Sequence, residues 1–271
     1  MHPPISFGDA RSVLASDLDG TLVPPERSDE RLREVARFSG AVTTGGMGLA
    51  YVTGRHLRSA VGCIEELGLP WPSALVCDVG TSVYTRSDER YRIDTAYRAL
   101  MQEAMGDVRA AMLHEALATL EGLRLQPEDS QAEFKVSYFV AAERYAHVLE
   151  AVSDALAPVA SVTLVASRDP ETGHGALDLL PATVSKAYAV DYLARNAGVD
   201  DERLIYAGDS GNDLHALLSG RPAIVVGNAH PDLKVQLRDE AASRGIADSV
   251  YFADSRYVAG VLEGLEHFGV L

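Results

Sequence analysis

Short apolar runs punctuate the chain at residues 13–15, 49–52, 74–76, 204–207 and 223–226. Each is too short for a helix, and none alternates strictly, which is the pattern of strands covered on both faces. Between them lie stretches with a helical period. Leu57, Ala60, Val61, Ile64 and Leu67 share one face of a helix that Gly68 and Pro70 end. Ala187, Val190, Leu193 and Ala194 form the stripe of another. Ser185 is placed to cap its start, and Gly198 stands just past its end. Strands alternating with helices predict an α/β fold with a doubly wound parallel sheet.

The middle of the chain has a different pattern. From about residue 84 to about 177, two long helical stretches come first, then a strand over 134–140, a further helix, and a strand over 162–166. Helices grouped with a few strands predict an α+β insert. The expected organisation is a core from residues 1–84 and 179–271, with an inserted domain over 85–178. Gly45, Gly46 and Gly48 precede a strand rather than opening a helix, so they read as a turn and not as a dinucleotide loop.

Composition narrows the class. A length of 271 residues suffices for a sizeable core, and 47% apolar with 23% charged residues is ordinary for a globular protein. A net charge of −15 argues against nucleic-acid binding, which needs a basic face. It leaves room for a small anionic substrate at a locally positive site. No run of about 18 apolar residues occurs, so no membrane helix is expected. Residues 1–11 do not read as a signal peptide, and the chain reads as cytoplasmic. Cys63 and Cys77 share no metal or redox spacing and are expected to be buried free thiols. No histidine pair has the spacing of a zinc site.

Four groups of polar residues sit at strand ends or a helix start. Asp17-Leu18-Asp19-Gly20-Thr21 follows the first strand, at the mouth where open α/β sheets bind ligands. Two acids two residues apart can divide the work of nucleophile or metal ligand and proton donor; a plain Asp-Gly turn is the alternative. Thr53-Gly54-Arg55 ends another strand, where a hydroxyl and free amides can hold phosphate oxygens. Lys186 opens a predicted helix, a place unfavourable for a cation unless an anion lies against it; otherwise it is a solvated surface lysine. Gly208-Asp209-Ser210-Gly211-Asn212-Asp213 offers hard oxygen donors of the kind Mg²⁺ prefers.

Taken together and in this order, the four groups resemble the motifs of the haloacid-dehalogenase-like phosphatases. The insert lies between the second and third motifs, where that superfamily carries its larger cap. Asp78-Val79-Gly80-Thr81, Leu125-Gln126-Pro127-Glu128, residues 134–138, Leu177-Asp178-Leu179-Leu180-Pro181 and residues 226–231 resemble segments of the sucrose-phosphate phosphatase branch. That branch usually has Gly after the motif lysine, where this chain has Ala187. The resemblance implies a Rossmann-like core with an α+β cap. It also implies Mg²⁺-dependent hydrolysis of a sugar phosphate, with a disaccharide phosphate such as sucrose 6-phosphate as the expected substrate.

The resemblance also implies roles. Asp17 is the nucleophile and Asp19 the general acid and base. Thr53, Gly54, Lys186 and Asn212 hold the phosphate. Asp17, the carbonyl of Asp19 and Asp209 bind Mg²⁺, with Asp213 near it or acting through water. Arg55, His56 and Lys135 are candidate sugar contacts. For Lys135 an exposed charge on a strand face is the alternative, and for His56 a satisfied surface histidine. A phosphosugar mutase is the alternative activity, and another sugar or polyol phosphate the alternative substrate.

Overall fold

The computed structural model describes residues 6–24, 26, 28–159, 161–168 and 173–271. The expectation of no signal peptide rests partly on residues 1–5, which lie outside the described residues. The chain runs β1 (Val13–Ser16), α1 (Asp29–Gly45), β2 (Gly48–Val52), α2 (Leu57–Leu67) and β3 (Ala74–Cys77). A hairpin follows, β4 (Ser82–Ser87) and β5 (Arg90–Ile93), then α3 (Thr95–Met105), α4 (Ala110–Leu117), β6 (Leu123–Leu125) and β7 (Val136–Val140). Next come α5 (Tyr145–Leu156), β8 (Val162–Arg168), β9 (Gly175–Pro181), α6 (Lys186–Ala197) and β10 (Leu204–Gly208). The chain ends with α7 (Leu214–Leu217), β11 (Ala223–Val225), α8 (Pro231–Ser243), β12 (Val250–Phe252) and α9 (Tyr257–His267).

The larger sheet has the order β12-β11-β10-β1-β2-β3-β4-β5. It is parallel from β12 to β3 and antiparallel over β4 and β5. Both faces are covered, as the unbroken apolar runs require. Val13, Ala15, Ala50 and Tyr206 pack into one apolar cluster, and Leu14, Leu49, Tyr51 and Ile205 into another. The helix ends follow their sequence signals. Ser185 accepts from the Tyr188 amide at 3.3 Å, and Gly198 and Gly68 take the left-handed conformation just past α6 and α2.

The smaller sheet is antiparallel, in the order β6-β7-β9-β8. Helices α4 and α5 pack against each other beside it, with Leu113, Leu117, Val148 and Val152 buried. The chain thus has the α/β core and inserted α+β unit expected of it. The division differs in detail. Boundaries at 84/85 and 178/179 cut through β4 and β9. The hairpin β4–β5 extends the large sheet where helix was expected. Its turn residues Asp88 and Glu89 have φ of 50° and 62°, the type I′ geometry that Asn-Gly usually announces. Asp-Glu carries no such signal, so the hairpin was not legible. No helix among the described residues is long and apolar enough to cross a membrane.

Candidate active site

Parallel pairing brings the first, second and fourth motifs to one edge of the sheet. Ser16 lies opposite Ala207 of β10 and opposite Tyr51 of β2. Asp17, Thr53 and Asp209, each one or two residues further on, therefore leave adjacent strands at the same carboxyl end. Lys186 reaches this point from the start of α6. Its approach depends on Gly80, whose φ is +99° and where a Cβ would lie 2.4 Å from the carbonyl oxygen of Ser185. The Tyr97 hydroxyl donates to the Gly80 carbonyl at 2.6 Å and fixes that loop.

The first, third and fourth groups form one buried network, and the second lies beside it. Lys186, 1% exposed, donates to Asp17 Oδ1 at 2.7 Å and to Asp213 Oδ1 at 2.8 Å. This rules out a solvated surface lysine. Asp213 accepts further from the Tyr206 hydroxyl at 2.6 Å, and from the amides of Asp209 and Ser210 at 3.2 and 3.0 Å. The Thr21 hydroxyl donates to Asp209 Oδ1 at 2.8 Å. Thr53 is buried at the end of β2, and its Oγ1 accepts from the Arg55 amide at 3.2 Å. The Asn212 side-chain oxygen accepts from the Ser210 hydroxyl at 3.0 Å.

Electrostatics indicate what this network can hold. Asp17, Asp209 and Asp213 are all buried, and one carboxylate oxygen from each falls within 4.8 Å of the others. Lys186 balances only one of these charges. Burial pushes Asp17 well above the ordinary carboxylate range; Lys186 opposes the shift and the neighbouring aspartates reinforce it. Burial and then Asp213 raise Asp209 to about 7. Lys186 is raised despite its burial, because Asp17 and Asp213 favour its charge. Burial and Asp213 also raise Tyr206, so its phenol remains a donor. A divalent cation would relieve the excess of buried negative charge, and an all-oxygen donor set suits Mg²⁺.

Above the network lies a cavity of about 680 Å³, lined by Asp17, Asp19, Gly54, Arg55, Asp209 and Asn212. The cap contributes Phe139, Ser167, Arg168 and His174. At Asp19 and Arg55 this cavity meets a second lobe of about 520 Å³, which His56, Gln126, Lys135 and Asp178 help to line. Arg55 holds Asp19 through two hydrogen bonds, 2.8 and 2.6 Å. Lys135 precedes β7 by one residue, is 4% exposed, and donates to the Gly54 carbonyl at 3.2 Å. The reading of Lys135 as an exposed strand charge is thereby corrected: the cap packs it against the core. His56 caps α2, its Nδ1 accepting from the Ser59 amide at 3.4 Å, so it has a structural task even though it lines the second lobe.

Several residues of this site carried no individual signal in the sequence. Asp78 and Asp178 are buried beside Lys135, and burial raises both. Asp78 Oδ1 has no hydrogen-bond partner among the described residues and lies 4.0 Å from Lys135 Nζ. Asp178 accepts from Ser137 within the cap sheet. The Asn228 side chain donates to the Gly20 carbonyl at 2.7 Å and accepts from the Tyr257 amide at 2.9 Å, tying the first motif to α9. Tyr206 had one available clue, a phenol inside an otherwise aliphatic buried strand.

Comparison with known proteins gives the family of the chain. The family model of sucrose-6F-phosphate phosphohydrolase matches residues 10–269. An HAD-like hydrolase of Nitrosococcus oceani is 32% identical over 268 residues, covering 94% of this chain and 71% of the relative. The mannosylfructose-phosphate phosphatase of Agrobacterium fabrum is 27% identical, covering 95% of this chain and 97% of the relative. In fold the chain is similar to the sucrose-phosphatase of Synechocystis, solved with sucrose and phosphate. That structure has a TM-score of 0.79 and 24% identity, covering 96% of this chain and 98% of the other. The chain belongs to the family of sucrose-6F-phosphate phosphohydrolases, among the haloacid-dehalogenase-like phosphatases, and is a phosphoric monoester hydrolase acting on sugar phosphates.

Proposed function

We propose that this phosphatase is Mg²⁺-dependent, acts on disaccharide phosphates with sucrose 6-phosphate as first choice, and works through an aspartyl-phosphate on Asp17. The observation that carries the reading is a buried Asp17, held by Lys186 at 2.7 Å, under a cavity that opens at Asp19 into two lobes. One lobe contains the reacting groups. The other is lined by polar cap and rim residues and suits a second sugar ring.

Asp17 attacks phosphorus in line as the bond to the sugar oxygen breaks, and Asp19 gives that oxygen its proton. Asp19 then takes a proton from the water that opens the aspartyl-phosphate. Lys186, the Thr53 hydroxyl and the Gly54 amide hold the phosphoryl oxygens, and Asn212 orients them. Asp17, Asp209 and the Asp19 carbonyl would hold Mg²⁺, which when bound neutralises charge on the nucleophile and the phosphoryl group. Asp213 has each oxygen engaged by protein donors, so its proposed role is to anchor Lys186 and the fourth-motif loop. Arg55, His56 and Lys135 are the proposed sugar contacts. Sheet membership favours taking the divide between core and cap near residues 94 and 182.

Phosphate release from a panel of sugar phosphates tests the substrate. With Mg²⁺, kcat/KM for sucrose 6-phosphate should exceed that for glucose 6-phosphate and fructose 6-phosphate by about 10-fold or more, since the second ring supplies binding energy that the shared phosphate cannot. Chelator should abolish turnover. Equal rates on monosaccharide phosphates would refute the disaccharide reading, and full activity in excess chelator would refute the metal.

A further inference from the structure

Tyr206 lies in the middle of β10, between β1 and β11, and is 1% exposed. Its neighbours along the strand are Ile205 and Ala207. A phenol buried there is costly unless its hydroxyl finds an acceptor. The acceptor is Asp213 Oδ1 at 2.6 Å, the same oxygen that receives Lys186 at 2.8 Å. The other oxygen, Oδ2, takes the amides of Asp209 and Ser210 and the Ser210 hydroxyl. Lys186 is therefore shared between two carboxylates at nearly equal distance, 2.7 Å to Asp17 and 2.8 Å to Asp213.

We infer that Tyr206 is a positioning residue for the reaction: by donating to Asp213 Oδ1 it weakens that oxygen's hold on Lys186 and keeps the ammonium poised toward Asp17 and the phosphoryl group. Without the phenol proton, Oδ1 has Lys186 as its only donor among the described residues. The ammonium then sits closer to Asp213 and farther from the reacting atoms. Donors aimed at developing charge act mainly in the transition state, so a displaced ammonium lowers kcat more than it raises KM. A hydroxyl that merely satisfies the core would affect stability alone.

This inference rests on the roles proposed for Asp17 and Lys186. The test is Tyr206→Phe, assayed as the full chain with saturating Mg²⁺ and a sugar phosphate. The ring and the packing of β10 are kept, and Asp213 retains its other donors. The expected result is a fall in kcat of about 10-fold, with KM within twofold of the parent and no more than a small change in Tm. A second measurement repeats the substitution in an Asp213→Asn background, where it should cost no further factor in kcat. An unchanged kcat, with or without a loss of Tm, overturns the inference. An equal loss in both backgrounds also overturns it, because Tyr206 would then act through another path. If Asp17→Asn keeps turnover, the nucleophile assignment fails; if that variant is dead while Tyr206→Phe is fully active, the inference about Tyr206 alone fails.

Discussion

Single side chains decide the chemistry here through burial and shared partners. Asp17 in isolation would be an ordinary acid. At the end of β1 it is desolvated and raised above the carboxylate range; the ammonium of Lys186 holds it and opposes that shift, while three neighbouring aspartates reinforce it. Asp17→Asn keeps its shape and its place against Lys186 but removes the attacking charge. Turnover should fall by ~10³-fold or more with Tm nearly unchanged, measured as phosphate release by a mutant purified apart from any host phosphatase. Retained turnover would remove Asp17 from the nucleophile's role. The two aspartates of the first motif were legible as a pair, because their spacing alone presents both at a strand end. Their different fates were not. Asp17 is buried under the network, while Asp19 is half exposed and engaged by Arg55, 36 residues away in the chain.

Elements carry these residues to their places, and caps set the elements. The motif lysine is the first residue of α6, so the Ser185 cap that starts this helix also sets where Lys186 projects. At the far edge of the sheet, Glu263 of α9 ties the helix to the loop after β12. It accepts from the amides of Asp254 and Ser255 and from the Tyr251 hydroxyl, each at 2.9 Å. Partial burial would raise this carboxyl, but its hydrogen bonds outweigh that and hold it at about 2, below its ordinary 4.5. A depressed acid stabilises the fold above its unfolded pKa and loses that contribution as pH falls through the folded one. Glu263→Gln should therefore lower stability by about 1 kcal/mol at pH 7, a charge-assisted value reduced for solvent screening. The difference should narrow between pH 4.5 and 2, read from denaturant unfolding across that range. A difference that stays constant into acid would show that the charge of Glu263 is not its source.

At the scale of the whole molecule, the cap is seated on the fourth-motif loop by backbone contact. Gly211, in the fourth motif, faces Ala166 of β8, and a Cβ there would lie 2.4 Å from the Ala166 carbonyl oxygen. Its own backbone suits any residue, so Gly211→Ala tests the seat of the cap and not the turn. The methyl group should push β8 outward and open the cleft. We expect kcat/KM for a disaccharide phosphate to fall about 10-fold, and for a small aryl phosphate to fall much less, because only the former depends on cap contacts. Equal losses on both substrates would place the damage in the fourth-motif loop itself. The join at Lys135 works in the same direction, since its ammonium reaches the Gly54 carbonyl from the cap side.

The sequence by itself determined the parallel core and the presence of an inserted α+β unit, and it singled out four motifs as candidates. Those depend on short-range facts: apolar runs of strand length, caps beside helical stripes, and acids a fixed step beyond a strand. It did not reveal the hairpin β4–β5, whose Asp88-Glu89 turn lacks the usual residues, and its boundaries for the insert cut through two strands. It also left open whether Lys135 and Lys186 are exposed or buried. Only the tertiary structure decided these, because burial is set by what packs on a residue from distant parts of the chain. Lys186 meets Asp17 across 169 residues and Lys135 meets Gly54 across 81. The same holds for Tyr206: its strand was plain in the sequence, but its acceptor depends on how the fourth-motif loop folds back over β10, and no local pattern carries that information.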